Sequence, residues 1–285
     1  MKVSAVLPLS AATSVGGVET DSGRRWRRLS GFAFGLGVQA LFVVTVVDLY
    51  AFLRWGVAVP DADWLRTDLL LALQFAVPHS VLLHPRFRSL FKRWCPAELH
   101  GVFFCLCTCL SLLLLFAGWR SSEGVVWELE GVAATAVVSC FHLSWAALLY
   151  SISLTGLGYQ TGLTQWTHWY RGTSVGRREF RAVSLYRVLR HPVYLSFLGL
   201  IWFTPVMTFD HALLTGIWTI YIFIGSILKD DRLRYYLGDS YANYMSQVAG
   251  YPGMVFGPLG RRGPPRPSAA VDGQNHVSSG ASRAA

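Results

Sequence analysis

The chain has 285 residues, with 25 Lys and Arg against 16 Asp and Glu and a formal net charge of +9 at pH 7. Apolar residues make up 53% and charged residues only 14%, well below the roughly 25% charged content of a soluble domain, and the mean hydropathy is positive. This composition excludes a disordered chain, a coiled coil and a secreted disulfide scaffold, argues against a soluble two-domain enzyme, and points to a polytopic membrane protein.

Residues 1–28 read as a loose cytoplasmic tail. Their apolar run, 3–9, is short and contains Pro8, and its basic cluster follows it, which is the wrong order for a cleaved signal peptide. A membrane span needs about 20 largely apolar residues. Six stretches qualify as candidates: 32–53, 69–83, 101–119, 131–158, 193–208 and 212–228. Only Phe209-Asp210-His211 joins the last two, so they form a helix hairpin. The expected fold is therefore all-α: a polytopic membrane helix bundle of about six transmembrane helices, ending in a hairpin and a cytoplasmic amphipathic segment, over residues 29–256. Residues 257–285, rich in Gly, Pro, Ser and Ala, are expected to form a disordered tail.

With both termini cytoplasmic, 22 Lys and Arg fall on inside segments and three (Arg54, Arg66 and Arg120) fall outside. That asymmetry is the positive-inside pattern. The net charge thus reads as topology and contact with anionic membrane lipids, not as a nucleic-acid site. Trp55, Trp64, Trp94, Trp119 and Trp127 fall near span ends, where interfacial Trp belongs. The basic inside loops and the lack of a targeting peptide favour a bacterial inner membrane.

Five cysteines occur, three of them (Cys105, Cys107 and Cys109) at alternate positions of the third span. No His or carboxylate accompanies them at zinc spacing, so no metal site is expected and they read as small apolar residues. Asp48, His79 and His142 are ionisable groups within spans. Such groups serve function or bond neighbouring helices. Gln74 and His79, five residues apart, sit about 140° apart on a helix. His142 joins no polar stripe and reads as structural.

Residues 184–194, SLYRVLRHPVY, bring basic, aromatic and imidazole groups to the entry of the fifth span. Pro192 suits the first turn of a helix, where its missing N–H is not needed. Arg190 and the helix N-terminus make a positive site for an anionic group. The hairpin then returns Asp230 and Asp231 to the same membrane face, followed by a short amphipathic piece containing Leu237, Gly238, Tyr241 and Tyr244. On the residues alone this is either a ligand site or a juxtamembrane charge cluster that anchors topology.

The succession Arg190-His191-Pro192-Val193-Tyr194, a helix hairpin, Asp230, Leu233, then Leu237, Gly238, Tyr241 and Tyr244 resembles the isoprenylcysteine carboxyl methyltransferase superfamily. Three more features resemble its nurim-like and methanethiol S-methyltransferase branch: Pro78-His79-Ser80 before a basic loop (Arg86, Phe87, Arg88), Leu185-Tyr186, and the run from Trp202 to Thr208. The resemblance covers roughly residues 68–250. It implies an S-adenosyl-L-methionine-dependent methyltransferase without a Rossmann domain. Tyr186, His191, Pro192, Val193, Tyr194 and Asp230 would bind that cofactor. His191 and Arg190 would be catalytic: with Arg187 they favour a thiolate, or His191 accepts the thiol proton.

The chain departs from the superfamily pattern at three places. Lys229-Asp230 stands where Glu-Glu is usual, Ser196 replaces a Gly, and Ser226 stands where carboxyl methyltransferases carry an Arg facing the substrate carboxylate. The expected activity is S-methylation of a small thiol such as methanethiol to dimethyl sulfide. The alternatives are a carboxyl or lipid-directed methyltransferase with a lipid-soluble substrate, and a non-catalytic nurim-like membrane protein.

Overall fold

The computed structural model describes residues 21–94, 96–176 and 181–263. Cys95, Arg177, Arg178 and most of both expected tails lie outside them. Each of the six expected spans is helical: α1 (Asp21–Trp55), α2 (Trp64–Leu83), α4 (His100–Gly118), α5 (Gly131–Thr155), α8 (Pro192–Trp202) and α9 (Phe209–Leu237). Shorter helices lie between and after them: α3 (Pro85–Phe91), α6 (Leu157–Gln160), α7 (Leu163–Arg171) and α10 (Asp239–Gln247). Four, α1 from Arg28, α4, α5 and α9, are long and apolar enough to cross a membrane. α2 carries Arg66 and Asp68 in its first turns, and α8 has only 11 residues.

Several boundaries move. α1 begins at Asp21, inside the stretch expected to be a loose tail. The fifth span was expected to be helical to residue 208, but α8 ends at Trp202. Pro205 is the cause: it cannot continue a helix, and it disfavours helical backbone at the residue before it. The chain runs on through β2 (Val206–Thr208), which pairs antiparallel with β1 (Val125–Glu128). Residues 209–211 are then the first turn of α9 and not a loop, with the Thr208 hydroxyl accepting the His211 N–H. α9 runs to Leu237, well past the expected end at 228.

The bundle is built by α1 on α4, α2 on α4 and α9, α5 on α8, and α8 on α9. One core gathers Phe52, Leu115, Trp119, Phe141, Leu200 and Trp218. A second packs Val38, Val102, Cys105 and Cys109 around Trp166 of α7. The Trp166 indole lies so close on α1 that a Cβ at Gly35 would meet it at 2.2 Å, and its N–H donates to the Gly31 carbonyl at 2.8 Å. The outward faces keep large apolar residues such as Leu143, Ile220 and Leu228 exposed, the pattern of a lipid-facing surface.

Trp119 is not interfacial. It is 1% exposed, and its indole N–H donates to Asp210 at 3.1 Å. Ser122 also donates to Asp210, from its N–H at 3.0 Å and its hydroxyl at 2.9 Å, so a buried carboxylate ties the β1 end of the bundle. His142 accepts or donates across 3.0 Å to the Tyr50 hydroxyl, an α1–α5 contact in keeping with a structural role. Gln74 and His79 both reach α4, at Ser111 and Thr108.

Candidate active site

α8 starts where the chain leaves a single 3-10 turn, Ser184–Arg187, and Pro192 occupies its first turn. Ser184 has φ +46°, the one left-handed non-glycine among the described residues, and its hydroxyl bonds Tyr150 at 2.7 Å. That brace turns Leu185 and Tyr186 inward. The Tyr186 hydroxyl donates to the Ser151 carbonyl of α5 at 3.3 Å, and its own carbonyl accepts from the Tyr244 hydroxyl of α10.

The two distant segments meet. Arg190 Nη2 lies 3.0 Å from Asp230 Oδ2 with neither side chain exposed, and Arg190 Nε donates to the same oxygen at 3.2 Å. His191 Nε2 is 3.2 Å from that oxygen. The Tyr241 hydroxyl donates to Asp230 Oδ1 at 2.6 Å. An ionised carboxylate only accepts, so Nε2 carries the proton and Nδ1 is left as the acceptor. Nδ1 is buried with no hydrogen-bond partner. The ring stands between Tyr194 and Tyr251, each 5.5 Å away. Burial pushes the His191 imidazole below its usual value, against the pull of Asp230. Burial and the Asp230 charge both raise the Tyr241 phenol.

Arg190 does more than pair with Asp230. Its Nη1 donates to the carbonyls of Met245, Val248 and Gly260 at 3.1, 2.6 and 2.8 Å, and Nη2 to Pro258 at 3.4 Å. Expected to be catalytic by favouring a thiolate, its guanidinium is spent on structural partners: with five N–H donors and six acceptor contacts it has none left over. It positions Asp230 and His191. The partners at 258 and 260 also correct the expectation of a disordered tail beginning at 257. The described chain continues to Gly263, because a Gly- and Pro-rich strap offers free carbonyls to a buried cation. Arg262 closes the strap on Asp231 at 2.6 Å.

Of the expected cofactor residues, His191, Pro192 and Asp230 are buried in this knot, while Tyr186, Val193 and Tyr194 are half-buried on its rim. Lys229 Nζ stands 5.0 Å from the centre of the Tyr194 ring. Tyr241 belongs to the Y-x-x-Y spacing, but only its bond to Asp230 makes it a residue of the site. The strap had no sequence signal, since its role lies in backbone carbonyls, and Tyr251, which lays its ring against His191, stood outside the motif. Ser226 is buried and its hydroxyl turns back to the Phe223 carbonyl at 2.8 Å. A groove of about 570 Å³ runs between α5 and α8 as far as Leu189 and Pro192. Its serines, Ser144, Ser151 and Ser196, all bond carbonyls of their own helices.

Curated relatives match most of the chain. Methanethiol S-methyltransferase 1 of Bradyrhizobium diazoefficiens is 32% identical over 239 residues, 80% of this chain and 84% of that protein. Methanethiol S-methyltransferase of Mycobacterium tuberculosis is 32% identical over 68% of this chain and 80% of its own length. Nurim of Rattus norvegicus is 28% identical over 64% of this chain and 73% of its own. No family model matches the chain, and no solved structure matches it.

Proposed function

The chain belongs to the family of the methanethiol S-methyltransferases and nurim, and from that premise we propose that it is an integral membrane S-adenosyl-L-methionine-dependent methyltransferase acting on a small thiol such as methanethiol, with dimethyl sulfide as product. The observation that carries this reading is the knot of Arg190, His191, Asp230 and Tyr241, which joins the two halves of the family motif at one end of the bundle. The residues fit the methyl donor in a specific respect. His191 Nδ1 is buried and lacks a partner, which suits a donor group of an incoming ligand, and Tyr186, Val193 and Tyr194 line the approach.

When bound, the donor supplies an electrophilic sulfonium methyl. The chain's own part is positioning and exclusion of water. Asp230 holds the His191 ring in one tautomer. Arg190 holds Asp230 and the strap, and Tyr244 holds the carbonyl of Tyr186. The apolar groove between α5 and α8 suits any acceptor that partitions into lipid. Ser226 offers no cation to a substrate carboxylate, and that feature favours a small thiol over a prenylcysteine carboxylate. We place the protein in a bacterial inner membrane with both termini cytoplasmic, on the charge asymmetry of its loops.

The test is headspace gas chromatography on cells expressing the chain and fed methanethiol. Dimethyl sulfide is expected from the parent and not from His191→Ala. Equal production by both would remove His191 from the site, and absence of product with every small thiol tried would overturn the thiol reading.

A further inference from the structure

We propose that α9 carries a second functional face, an anion-holding cleft in which Lys229 and Arg232, set against Tyr194, Tyr221 and His79, receive the methyl acceptor as its thiolate. This deepens the methyltransferase reading and rests on it.

Tyr221, Gly225, Lys229 and Arg232 fall within about 80° of one another around a helix of 3.6 residues per turn. They form a stripe beside the buried stripe of Ile222, Ser226 and Asp230. The stripe faces two other helices. The Ser80 hydroxyl of α2 donates to the Tyr221 hydroxyl at 3.2 Å, and the His79 ring lies 6.3 Å from the Tyr221 ring. Lys229 stands over Tyr194 of α8. Arg232 lies on the same stripe, about one turn beyond Lys229. Between Tyr221 and Lys229 the stripe leaves room: a Cβ added at Gly225 would meet nothing within 4 Å.

Two cations share this face, and neither has a carboxylate partner among the described residues. Asp230 adjoins Lys229 in sequence, but its oxygens are turned into the knot and spent on Arg190, His191 and Tyr241. Half-buried cations without counterions are costly unless an anion completes them. The aromatic walls and apolar surroundings select a soft, weakly hydrated anion over a phosphate. Tyr194 is also one of the residues proposed for the methyl donor, so Lys229 stands on a wall that the acceptor and donor sites would share. The thiol proton passes to cytosolic water. A thiolate lone pair becomes the new S–C bond, and the electron pair of the broken bond stays on the donor sulfur. Lys229, which replaces the usual acidic residue of the superfamily, is then the group that sets the acceptor's charge state.

The experiment titrates thiophenol, a chromophoric thiol, on the purified full chain saturated with S-adenosylhomocysteine, reading thiolate absorbance against pH. The titratable and charged groups around Lys229 are Tyr194 under its ammonium, His191 at the start of α8, and Asp230 and Arg232 on α9, with the Asp230 oxygens themselves bonded within the knot. The bound probe is expected to ionise about one pH unit lower than the free thiol, a tenfold change in its ionisation constant. Lys229→Met should abolish that shift and leave S-adenosylhomocysteine affinity within about twofold of the parent, while Lys229→Arg should keep most of the shift. An unchanged shift in Lys229→Met overturns the cleft. A loss of S-adenosylhomocysteine affinity with the shift intact also overturns it, assigning Lys229 to the donor's carboxylate. Failure of the parent to bind S-adenosylhomocysteine at all would instead sink the methyltransferase reading beneath it.

Discussion

Arg190 and His191 are neighbours with different tasks. Arg190 is a buried cation whose every donor is used, and removing one partner of such a pair costs about 3–5 kcal/mol because the other charge is stranded. Arg190→Ala is therefore expected to lose folded protein, seen as a lower melting temperature in detergent. Arg190→Lys should rescue little, because an ammonium cannot span Asp230 and four carbonyls. Tyr241→Phe leaves Asp230 Oδ1 without its donor and should cost about 1–3 kcal/mol, read by the same melt. His191 gives a pH signature. Its folded pKa lies below the usual 6.5, so the unfolded chain binds the proton more readily. Its contribution to stability is thus fully present above pH 6.5 and is lost as pH falls toward the folded value. Melting temperatures between pH 8 and 5 should show this fall in the parent and a smaller one in His191→Asn.

At the scale of the elements, the hairpin brings His191 to Asp230 by matching lengths. From Phe209 to Asp230, α9 rises about 32 Å. The 11 residues of α8 rise about 16 Å, and the six extended residues 203–208 supply up to about 20 Å more. A fully helical fifth span would end short, and the β2 segment makes up the difference. α8 is held to α5 by close approach at Gly199, where a Cβ would meet Ser144 Oγ at 2.2 Å. Gly199→Val should overpack that contact at a cost of about 1–3 kcal/mol and lower both melting temperature and methyl transfer. Ser144→Gly in the same chain should restore much of both. No recovery in the double variant would show that the contact is not what Gly199 serves.

For the molecule as a whole, the charge asymmetry predicts a single orientation. Alkaline phosphatase folds only when exported, because it needs its disulfides. Fusions after residues 60 and 123 should be active and fusions after residues 175 and 263 inactive. The reverse pattern would place the knot of Arg190, His191 and Asp230 on the external face, away from cytosolic S-adenosylmethionine, and remove the proposed reaction.

By itself the sequence determined the helical membrane class, the six helical segments and the pairing of Arg190-His191 with Asp230, because hydropathy, basic loops and a short motif are local properties. Pro205 offered a local stop for α8, but not the strand that follows it, since residues 206–208 pair with residues about 80 positions earlier. Nor did the sequence reveal that Trp119 is core and Arg190 a staple. Those roles depend on partners supplied from elsewhere in the chain: the carboxylate of Asp210, and the backbone carbonyls of 245, 248, 258 and 260. Carbonyls carry no side-chain signature, so only the tertiary structure decided that the Gly- and Pro-rich strap closes the site. The same holds for Lys229, whose charge is visible in the sequence, but whose lack of a counterion emerged only when Asp230 turned the other way.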